Sequence, residues 1–388
     1  MMTSTVSRIK AQPGLLRRFN LGATVRRLQI SGPLSRAELA RATDISYPTV
    51  MKICDTLTEN RLIEEGDVQR PALGRPGQSL RMATESAQVI SVSLGPEQIR
   101  AGVAGLDGTL VEETRSEIPE TYAELLKAIE SLVGRLKRTR RARTLGLGVA
   151  VPGLIDTGEQ RVIVSPNVPT LKGRLLSRDL QVQTRLRAVV VRTMRAQLLA
   201  ERIRGRAVGL DNFALLNYRG GLGVAVATNG RFVEGTAGLA GELGHIVVDP
   251  TGERCGCGHR GCLETIATDV ALAKAVSRKL RRSVSVEQLM KILRNNPEQI
   301  TAEVDRAVDY LAMGIGVVIN LFNPQAVFLF GRFAEADDDI FSRLIHRVGN
   351  SALKELARNC TIAPTQCDTL EGAALAVVDD LVDRLCVP

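Results

Sequence analysis

Three cysteines and two histidines lie close together in the sequence, at a spacing that suits a metal ion. Cys255, Cys257 and Cys262 fall within eight residues, and His245 precedes the first of them by ten residues. Three thiolates and one imidazole form a donor set that Zn²⁺ takes in closed, tetrahedral structural sites. His259, between the second and third cysteines, is a competing imidazole. The pattern predicts a structural Zn²⁺ site; the alternative is a set of reduced cysteines that only fill a core.

The composition is that of a soluble globular protein. The chain has 388 residues, of which 44% are hydrophobic and 24% charged, and this length suits two or three domains. A disordered tail, a collagen-like chain and a disulfide scaffold are excluded. Aromatic residues make up only 3% and Trp is absent, which disfavours recognition of sugars or bases by rows of stacked rings. The first residues show no apolar signal segment, and we expect a cytoplasmic protein.

The positive charge is concentrated near the N-terminus. The chain has a net charge of +9, and residues 1–82 hold 13 Lys and Arg against 7 Asp and Glu. This asymmetry predicts a basic N-terminal module on a nearly neutral body, a pattern that favours a polyanionic partner. A second basic run, Arg135–Arg143, has no interleaved aromatic residues and is interpreted as a solvated helix end.

The N-terminal module has the pattern of a winged helix-turn-helix. Its apolar residues repeat with a helical period in three short blocks. Ser35 and Glu38 fit a capping box at the start of the second block, and Ser46 is expected to cap a third helix that runs to about Asn60. Two strands follow, over residues 62–66 and 78–82. We therefore expect residues 1–82 to form a DNA-binding domain.

In such a module, the start of the second helix of the pair enters the major groove. The predicted contacts there are Ser46, Tyr47, Pro48, Thr49 and Lys52. The tip between the two strands holds a Gly-Arg-Pro sequence, whose Arg75 is expected to enter a narrow minor groove. The alternative is a helical hairpin that contacts another protein.

After residue 82 strands alternate with helices, which predicts an α/β domain over residues 83–388. One charge-free stretch, Tyr310–Gly331, is long enough to span a membrane, but the pair Asn323-Pro324 interrupts it. We therefore expect a buried helix that ends near Phe322, a break, and a core strand Ala326–Phe330. No membrane partner is predicted.

The cysteines end a longer motif, which reads Glu234-Gly-Thr-Ala-Gly-Leu-Ala-Gly-Glu242-Leu-Gly-His245 and then Cys255-Gly-Cys257-Gly-His-Arg-Gly-Cys262-Leu-Glu264. This motif closely resembles the signature of the ROK family of repressors, open reading frames and sugar kinases. The resemblance covers essentially the whole chain. It implies a two-lobed actin/hexokinase-like fold behind the winged helix-turn-helix, and it implies that His245, rather than His259, joins the three cysteines at the metal.

The resemblance also identifies departures from the active kinases of the family. Their first phosphate loop corresponds to residues 93–97, where Pro96 lacks an amide donor and Glu97 adds negative charge. Their second glycine loop, at residues 219–225, is only half kept. Thr193 stands in place of the catalytic aspartate, and a threonine hydroxyl does not accept a proton at neutral pH. The resemblance therefore implies a protein without kinase activity.

An effector site follows from the same resemblance. The residues at its sugar-contacting positions are Asn167, Glu242, His245 and Glu264. Arg192 and Arg195 replace asparagines of the kinases, which favours an anionic effector, because an arginine can hold a phosphate or carboxylate with two parallel hydrogen bonds. The alternatives are arginines that face solvent or pair with acids such as Asp156, and glutamates that only support the metal loop.

These observations predict a DNA-binding transcriptional regulator, a repressor of carbohydrate-related genes. Its expected partners are a double-stranded DNA operator, a sugar or sugar phosphate effector, and further copies of itself in a homodimer or homotetramer. Two other functions remain open. One is a ROK sugar kinase that phosphorylates a hexose with ATP, and the other is an architectural DNA-binding protein without a ligand.

Overall fold

The computed structural model describes residues 13–66, 78–96, 98–156 and 158–385. Arg75 and Glu97, which the sequence singles out, lie outside the described residues. The chain divides into two compact units. The first comprises the described parts of Met1–Ala150, Ser177–Val191 and Thr369–Pro388, and the second comprises those of Val151–Leu176 and Arg192–Asp368.

The first unit begins with three helices and a small sheet. These elements are α1 (Pro13–Ser31), β1 (Leu34–Ser35), α2 (Arg36–Thr43), α3 (Tyr47–Glu59), β2 (Ile63–Glu65) and β3 (Ser79–Met82). The capping box is present, because the Ser35 hydroxyl accepts from the Glu38 amide while the Glu38 carboxylate accepts from the Ser35 amide. β3 lies between β1 and β2 and is antiparallel to both. The predicted winged helix-turn-helix is confirmed.

The cap expected at α3 is only partly correct. Ser46 does immediately precede the helix, but its hydroxyl caps no backbone amide of the described residues. Instead, the hydroxyl oxygens of Ser46 and Thr49 are 2.8 Å apart and share a hydrogen bond. Residues three apart at the start of a helix are neighbours, so the two short side chains satisfy each other.

A five-stranded sheet belongs to the first unit. The elements that follow β3 are β4 (Ala87–Leu94), β5 (Gln98–Ala104), β6 (Leu110–Glu117), α4 (Tyr122–Leu136), β7 (Arg143–Val151), β8 (Leu154–Asp156), β9 (Arg161–Val164), α5 (Leu176–Thr184), β10 (Ala188–Arg192) and α6 (Thr193–Arg204). The strand order is β10-β7-β4-β5-β6, with β4 parallel to β7 and antiparallel to β5. β8 and β9 form an antiparallel pair of their own in the second unit.

A second five-stranded sheet belongs to the second unit. The remaining elements are β11 (Phe213–Asn217), β12 (Gly223–Thr228), β13 (Arg231–Phe232), α7 (Asp269–Leu280), α8 (Val286–Asn295), α9 (Thr301–Phe322), β14 (Ala326–Phe330), α10 (Asp338–Ser351), α11 (Lys354–Arg358), β15 (Thr361–Pro364) and α12 (Thr369–Arg384). The order is β13-β12-β11-β14-β15, in which β14 is parallel to both neighbours. Of these elements, α12 is part of the first unit. The predicted α/β architecture is confirmed.

The charge-free stretch forms a helix and a strand, as predicted. α9 ends at Phe322, and Asn323 then adopts a left-handed φ of 43°. β14 starts three residues later, at Ala326, and most of it is buried. Among the described residues, no helix is both long enough and apolar enough to cross a membrane.

The N-terminal helices and the first large sheet share one hydrophobic core. Leu21 and Leu28 of α1 belong to the same buried cluster as Val378 of α12. At the surface beside this cluster, the Arg18 guanidinium forms an ion pair of 2.6 Å with Asp383 of α12. The helix-turn-helix therefore packs on the last helix of its own unit.

Candidate metal centre and polar site

The segment between β13 and α7 folds back on itself and brings the predicted metal ligands together. His245 ends a short 3-10 helix, and Val247 pairs with Cys262 through an isolated bridge. Gly261 has a φ of 65°, and a Cβ at this position would lie 1.5 Å from the carbonyl oxygen of Asp249. Only glycine fits there. This close turn returns the chain to His245, whose carbonyl oxygen is 3.7 Å from the Cys262 sulfur.

The four predicted ligands form one cluster. A ligand atom from each of His245, Cys255, Cys257 and Cys262 lies within 4.8 Å of the others. The Sγ atoms of Cys257 and Cys262 are 3.6 Å apart, and Cys255 Sγ is 3.6 Å from His245 Nδ1. A tetrahedron with metal–sulfur bonds of about 2.3 Å has edges of about 3.8 Å, so these separations fit one tetrahedral ion. The expected cluster is confirmed as a group that can hold a metal.

The surroundings of the three thiols differ. Cys257 is exposed, and a hydrogen bond with the backbone of His259 is the main cause that lowers the pKa of its thiol to about 6. Burial raises the pKa of the thiols of Cys255 and Cys262. The His259 ring also touches the cluster, since its Nδ1 lies 3.4 Å from Cys257 Sγ. A metal cation favours the thiolate form at each of these cysteines.

Two carboxylates connect the cluster to a polar site beside it. Glu264 Oε1 accepts a hydrogen bond from the Cys255 thiol at 2.8 Å and lies 3.6 Å from His245 Nδ1. The other ring nitrogen, His245 Nε2, lies 3.8 Å from Glu242 Oε2. The Nδ1 side of the imidazole therefore faces the thiols, and the Nε2 side faces Glu242.

A glycine loop before β12 lies next to two of the candidate effector residues. A Cβ at Gly221 would lie 3.5 Å from Glu264 Oε2, and one at Gly220 would lie 4.0 Å from Asn167 Nδ2. Glu264 thus turns one oxygen to the metal ligands and the other to the loop. An amide and a carboxylate near exposed glycine backbone supply the donors and acceptors that a polyol needs.

Arg192 is already bound by the protein itself. Its Nη1 donates to the carbonyl oxygens of Gly238 at 2.7 Å and Ala240 at 2.9 Å. Its Nη2 donates to Glu242 Oε1 at 2.5 Å. The Arg192 side chain is 14% exposed. The polar site therefore has a guanidinium group on one oxygen of Glu242 and an imidazole near the other.

Arg195 also has a carboxylate partner, because it forms an ion pair with Glu234. The sequence favours an anion bound by Arg192 and Arg195, with pairing to acids such as Asp156 as the alternative. In the structure both arginines pair with acids, but with Glu242 and Glu234. No spacing in the sequence indicates these pairs, because each joins α6 or the residue before it to a distant loop.

The structure describes two of the positions that the resemblance assigns to the kinase machinery. Thr193 is the first residue of α6, and its buried hydroxyl oxygen has no hydrogen-bond partner among the described residues. The Gly95 amide donates to the Gln98 carbonyl oxygen at 3.0 Å and closes the turn between β4 and β5. Position 193 therefore carries a hydroxyl group rather than a carboxylate, and the Gly95 amide is already hydrogen-bonded within the protein.

α3 presents the predicted DNA contacts on its accessible side. Thr49 is half-buried, and the others are exposed, namely Ser46, Tyr47, Pro48 and Lys52. The opposite side of the helix is buried in the core, at Val50, Ile53, Cys54 and Leu57. The start of α3 is therefore free to approach another molecule.

Comparisons with known proteins identify relatives of two kinds. The N-acetylglucosamine repressor of Escherichia coli O6:H1 is 28% identical over 369 residues, which is 91% of this chain and 90% of the repressor. A glucokinase of Thermotoga maritima is 28% identical over 311 residues, which is 94% of the kinase but 76% of this chain.

One solved structure matches nearly the whole chain. The crystal structure of a ROK family transcriptional regulator, a homologue of the E. coli Mlc protein, superposes with a TM-score of 0.81 and 27% identity. The match covers 96% of this chain and 99% of that chain. The sequence model of the ROK family matches residues 89–378. Since that range is well over half of the residues, the chain belongs to the ROK family.

Proposed function

We propose that this protein is a sequence-specific DNA-binding transcriptional regulator, a repressor of carbohydrate-related genes that responds to a sugar or sugar derivative. The observation that carries the proposal is the accessible start of α3 within a winged helix-turn-helix that precedes a ROK fold. The relatives support it, because the repressor matches over nine tenths of this chain whereas the glucokinase leaves much of it unmatched.

In this proposal residues 1–82 bind the DNA operator. The start of α3 enters the major groove with Ser46, Tyr47, Pro48, Thr49 and Lys52, and Arg75 of the wing enters the minor groove. Residues 83–388 sense the effector and form the oligomer, a homodimer or homotetramer. The basic N-terminal module suits DNA binding, and the nearly neutral body suits the binding of an effector and of further copies of the chain.

The effector site in this proposal is the polar site beside the metal cluster. Asn167, Glu242, His245 and Glu264 supply acceptors and donors for hydroxyl groups, and Arg192 borders the site through Glu242. A sugar is the effector class that this set suits best, because amides, carboxylates and an imidazole pair with several hydroxyls at once.

Zn²⁺ is the metal that we propose for the cluster, in a structural role. His245, Cys255, Cys257 and Cys262 would complete its tetrahedral shell and leave no open position for a reacting water. The ion would fix the loop that carries Glu242 and Glu264. In this way the metal would order the effector site without taking part in a reaction.

A binding assay with DNA from upstream of the protein's own gene tests the main proposal. We expect the protein to bind this DNA, and we expect excess unlabelled DNA of the same sequence, but not a scrambled duplex, to compete for the protein. Tyr47→Ala should weaken the binding. Val111→Ala is a matched control, since Val111 is similarly exposed but lies on β6. Binding that is equal for specific and scrambled DNA would contradict the proposal, and a thermal-shift screen with sugars would then separate a regulator from an architectural protein.

The kinase alternative has its own test. A coupled assay of ADP release from ATP, run with a panel of hexoses, should show no sugar-dependent turnover, because position 193 carries a hydroxyl rather than a carboxylate base. The Thermotoga maritima glucokinase provides the positive control. Sugar-dependent turnover by the purified chain would establish the kinase instead.

A further inference from the structure

We propose that the Arg192 side chain lies in the effector site and competes with a neutral sugar for Glu242. Arg192 thereby sets the affinity of the regulator for its effector. This inference rests on the proposed role of Glu242 in binding hydroxyl groups. It goes further because Arg192 then weakens sugar binding instead of contacting the sugar.

The first support is the geometry of the guanidinium group. Arg192 donates to Glu242 Oε1 at 2.5 Å and to the carbonyl oxygens of Gly238 and Ala240. Of these acceptors, Glu242 Oε1 is the one that the proposed function assigns to a sugar hydroxyl. Arginine only donates, so it cannot accept a hydrogen bond from a sugar and extend the site. A sugar that takes Glu242 Oε1 must displace Arg192.

The second support is the strength of the contact. A hydrogen bond between a guanidinium and a carboxylate is charge-assisted and is roughly twice as strong as one between neutral groups. Arg192 is mostly buried, with 14% of its side chain exposed, whereas Glu242 is 39% exposed. The Glu242 side chain is therefore accessible to a sugar from solvent, while its Oε1 already accepts from Arg192. Arg192 lowers the affinity for every ligand that needs this oxygen.

The third support is that this arrangement leaves polar atoms unsatisfied. Arg192 Nε and the adjacent Thr193 Oγ1 are both buried, and neither has a hydrogen-bond partner among the described residues. Buried polar atoms without partners are costly, so this cost partly offsets the hydrogen bonds that hold the Arg192 side chain in place. A shorter, neutral side chain at position 192 leaves Glu242 Oε1 free to accept from a sugar hydroxyl.

Arg195, in the first turn of the helix that follows Arg192, provides a matched control. It lies three residues after Arg192, forms its ion pair with Glu234 instead of Glu242, and stacks on the Phe232 ring at 5.3 Å. Removing Arg195 therefore takes away one guanidinium and one ion pair from the same loop without uncovering Glu242.

The test is calorimetric titration of the wild-type protein and of variants with glucose, N-acetylglucosamine and xylose. Arg192→Asn should bind at least one of these sugars about tenfold more tightly or better, since a charged competitor has been removed. Arg195→Asn should stay within about twofold of the wild-type affinity. Adding Glu242→Gln to Arg192→Asn should abolish the gain. Metal content and thermal unfolding confirm that each variant is folded, and Arg192→Gln replaces any Arg192→Asn protein that is not.

Three results would overturn the inference. The first is an unchanged sugar affinity in the folded Arg192 variants. The second is a weaker affinity, which would make Arg192 a ligand contact, and the third is that no variant binds any of the sugars. The DNA-binding assay on the wild-type protein is independent of these titrations. Specific DNA binding with no gain in sugar affinity rejects the role of Arg192 and leaves the regulator intact, whereas loss of specific DNA binding rejects the proposed function itself.

Discussion

The Glu64 carboxylate accepts a hydrogen bond of 2.6 Å from the Ser86 hydroxyl. Glu64 lies on wing strand β2, and Ser86 immediately precedes β4, the central strand of the first large sheet. The same carboxylate also accepts from the backbone amides of Thr84, Glu85 and Ser86. The Glu64 side chain therefore links the winged module to the start of the ROK fold through hydrogen bonds.

This contact predicts a dependence of stability on pH. Burial raises the pKa of Glu64, but the hydrogen bonds from Ser86, Thr84 and Glu85 outweigh it and lower the pKa from 4.5 to about 2. A carboxylate with a lowered pKa stabilises the fold fully above pH 4.5, and this stabilisation is lost as the pH falls towards 2. Partial exposure screens the effect, and we expect Glu64→Gln to cost about 1–2 kcal/mol at pH 7.

Urea unfolding at several pH values checks this prediction. The difference between the wild-type protein and Glu64→Gln should be largest at pH 7 and should shrink below pH 4. Glu65→Gln is the matched control, because Glu65 is the next residue of the same strand and is exposed. A difference that stays constant down to pH 2.5 would show that the charge of Glu64 does not stabilise the fold.

The metal cluster gives a second prediction. The purified protein should contain about one zinc per chain, and Cys257→Ser should lose both the zinc and thermal stability, because three ligands hold a structural ion poorly. Elemental analysis and thermal unfolding measure the two effects. Cys360→Ser is a suitable control, since Cys360 lies outside the cluster. Full zinc occupancy in Cys257→Ser would contradict the ligand assignment.

Local sequence patterns predict much of this structure, because the interactions behind them are local. Ser35 and Glu38 are three residues apart, so their spacing predicts the reciprocal hydrogen bonds of the capping box. The break at Asn323-Pro324 follows from the missing amide of proline. The metal ligands are also clustered in sequence, and their donor chemistry permits few alternatives.

The interactions that the sequence does not indicate join distant segments. Glu242 lies 50 residues beyond Arg192, and only the folded loop brings the two together. β6 is mostly exposed and carries many charges, so its sequence resembles a loop until its pairing with β5 is known. The Ser46 hydroxyl departs from the expected cap because a second hydroxyl, on Thr49, competes for it.

Oligomeric state is the subject of a third prediction. A single winged module contacts DNA over a small area, about 600–1,000 Å² for comparable modules, and two modules related by a twofold axis read two half-sites with far greater specificity. We therefore expect a homodimer or homotetramer. Light scattering at micromolar concentration, with and without operator DNA, measures the mass. A mass equal to one chain under both conditions would contradict this prediction.

The last prediction concerns the wing. Arg75 lies outside the described residues, and its Gly-Arg-Pro sequence falls between the two wing strands in the chain. We expect this arginine to enter a narrow minor groove. Arg75→Ala should weaken operator binding about tenfold at moderate salt and reduce the slope of log affinity against log salt by about one, since fewer counterions are released.

Arg141→Ala is the matched control for this measurement. Arg141 is exposed and belongs to the basic run at residues 135–143, which extends from the end of α4 through the following turn to the first residue of β7. If that run is a solvated turn, removing one of its charges should leave the operator affinity and the slope of log affinity against log salt unchanged. An unchanged slope in Arg75→Ala would mean that the wing does not contact DNA, and a reduced slope in Arg141→Ala would move the DNA-binding surface to this turn.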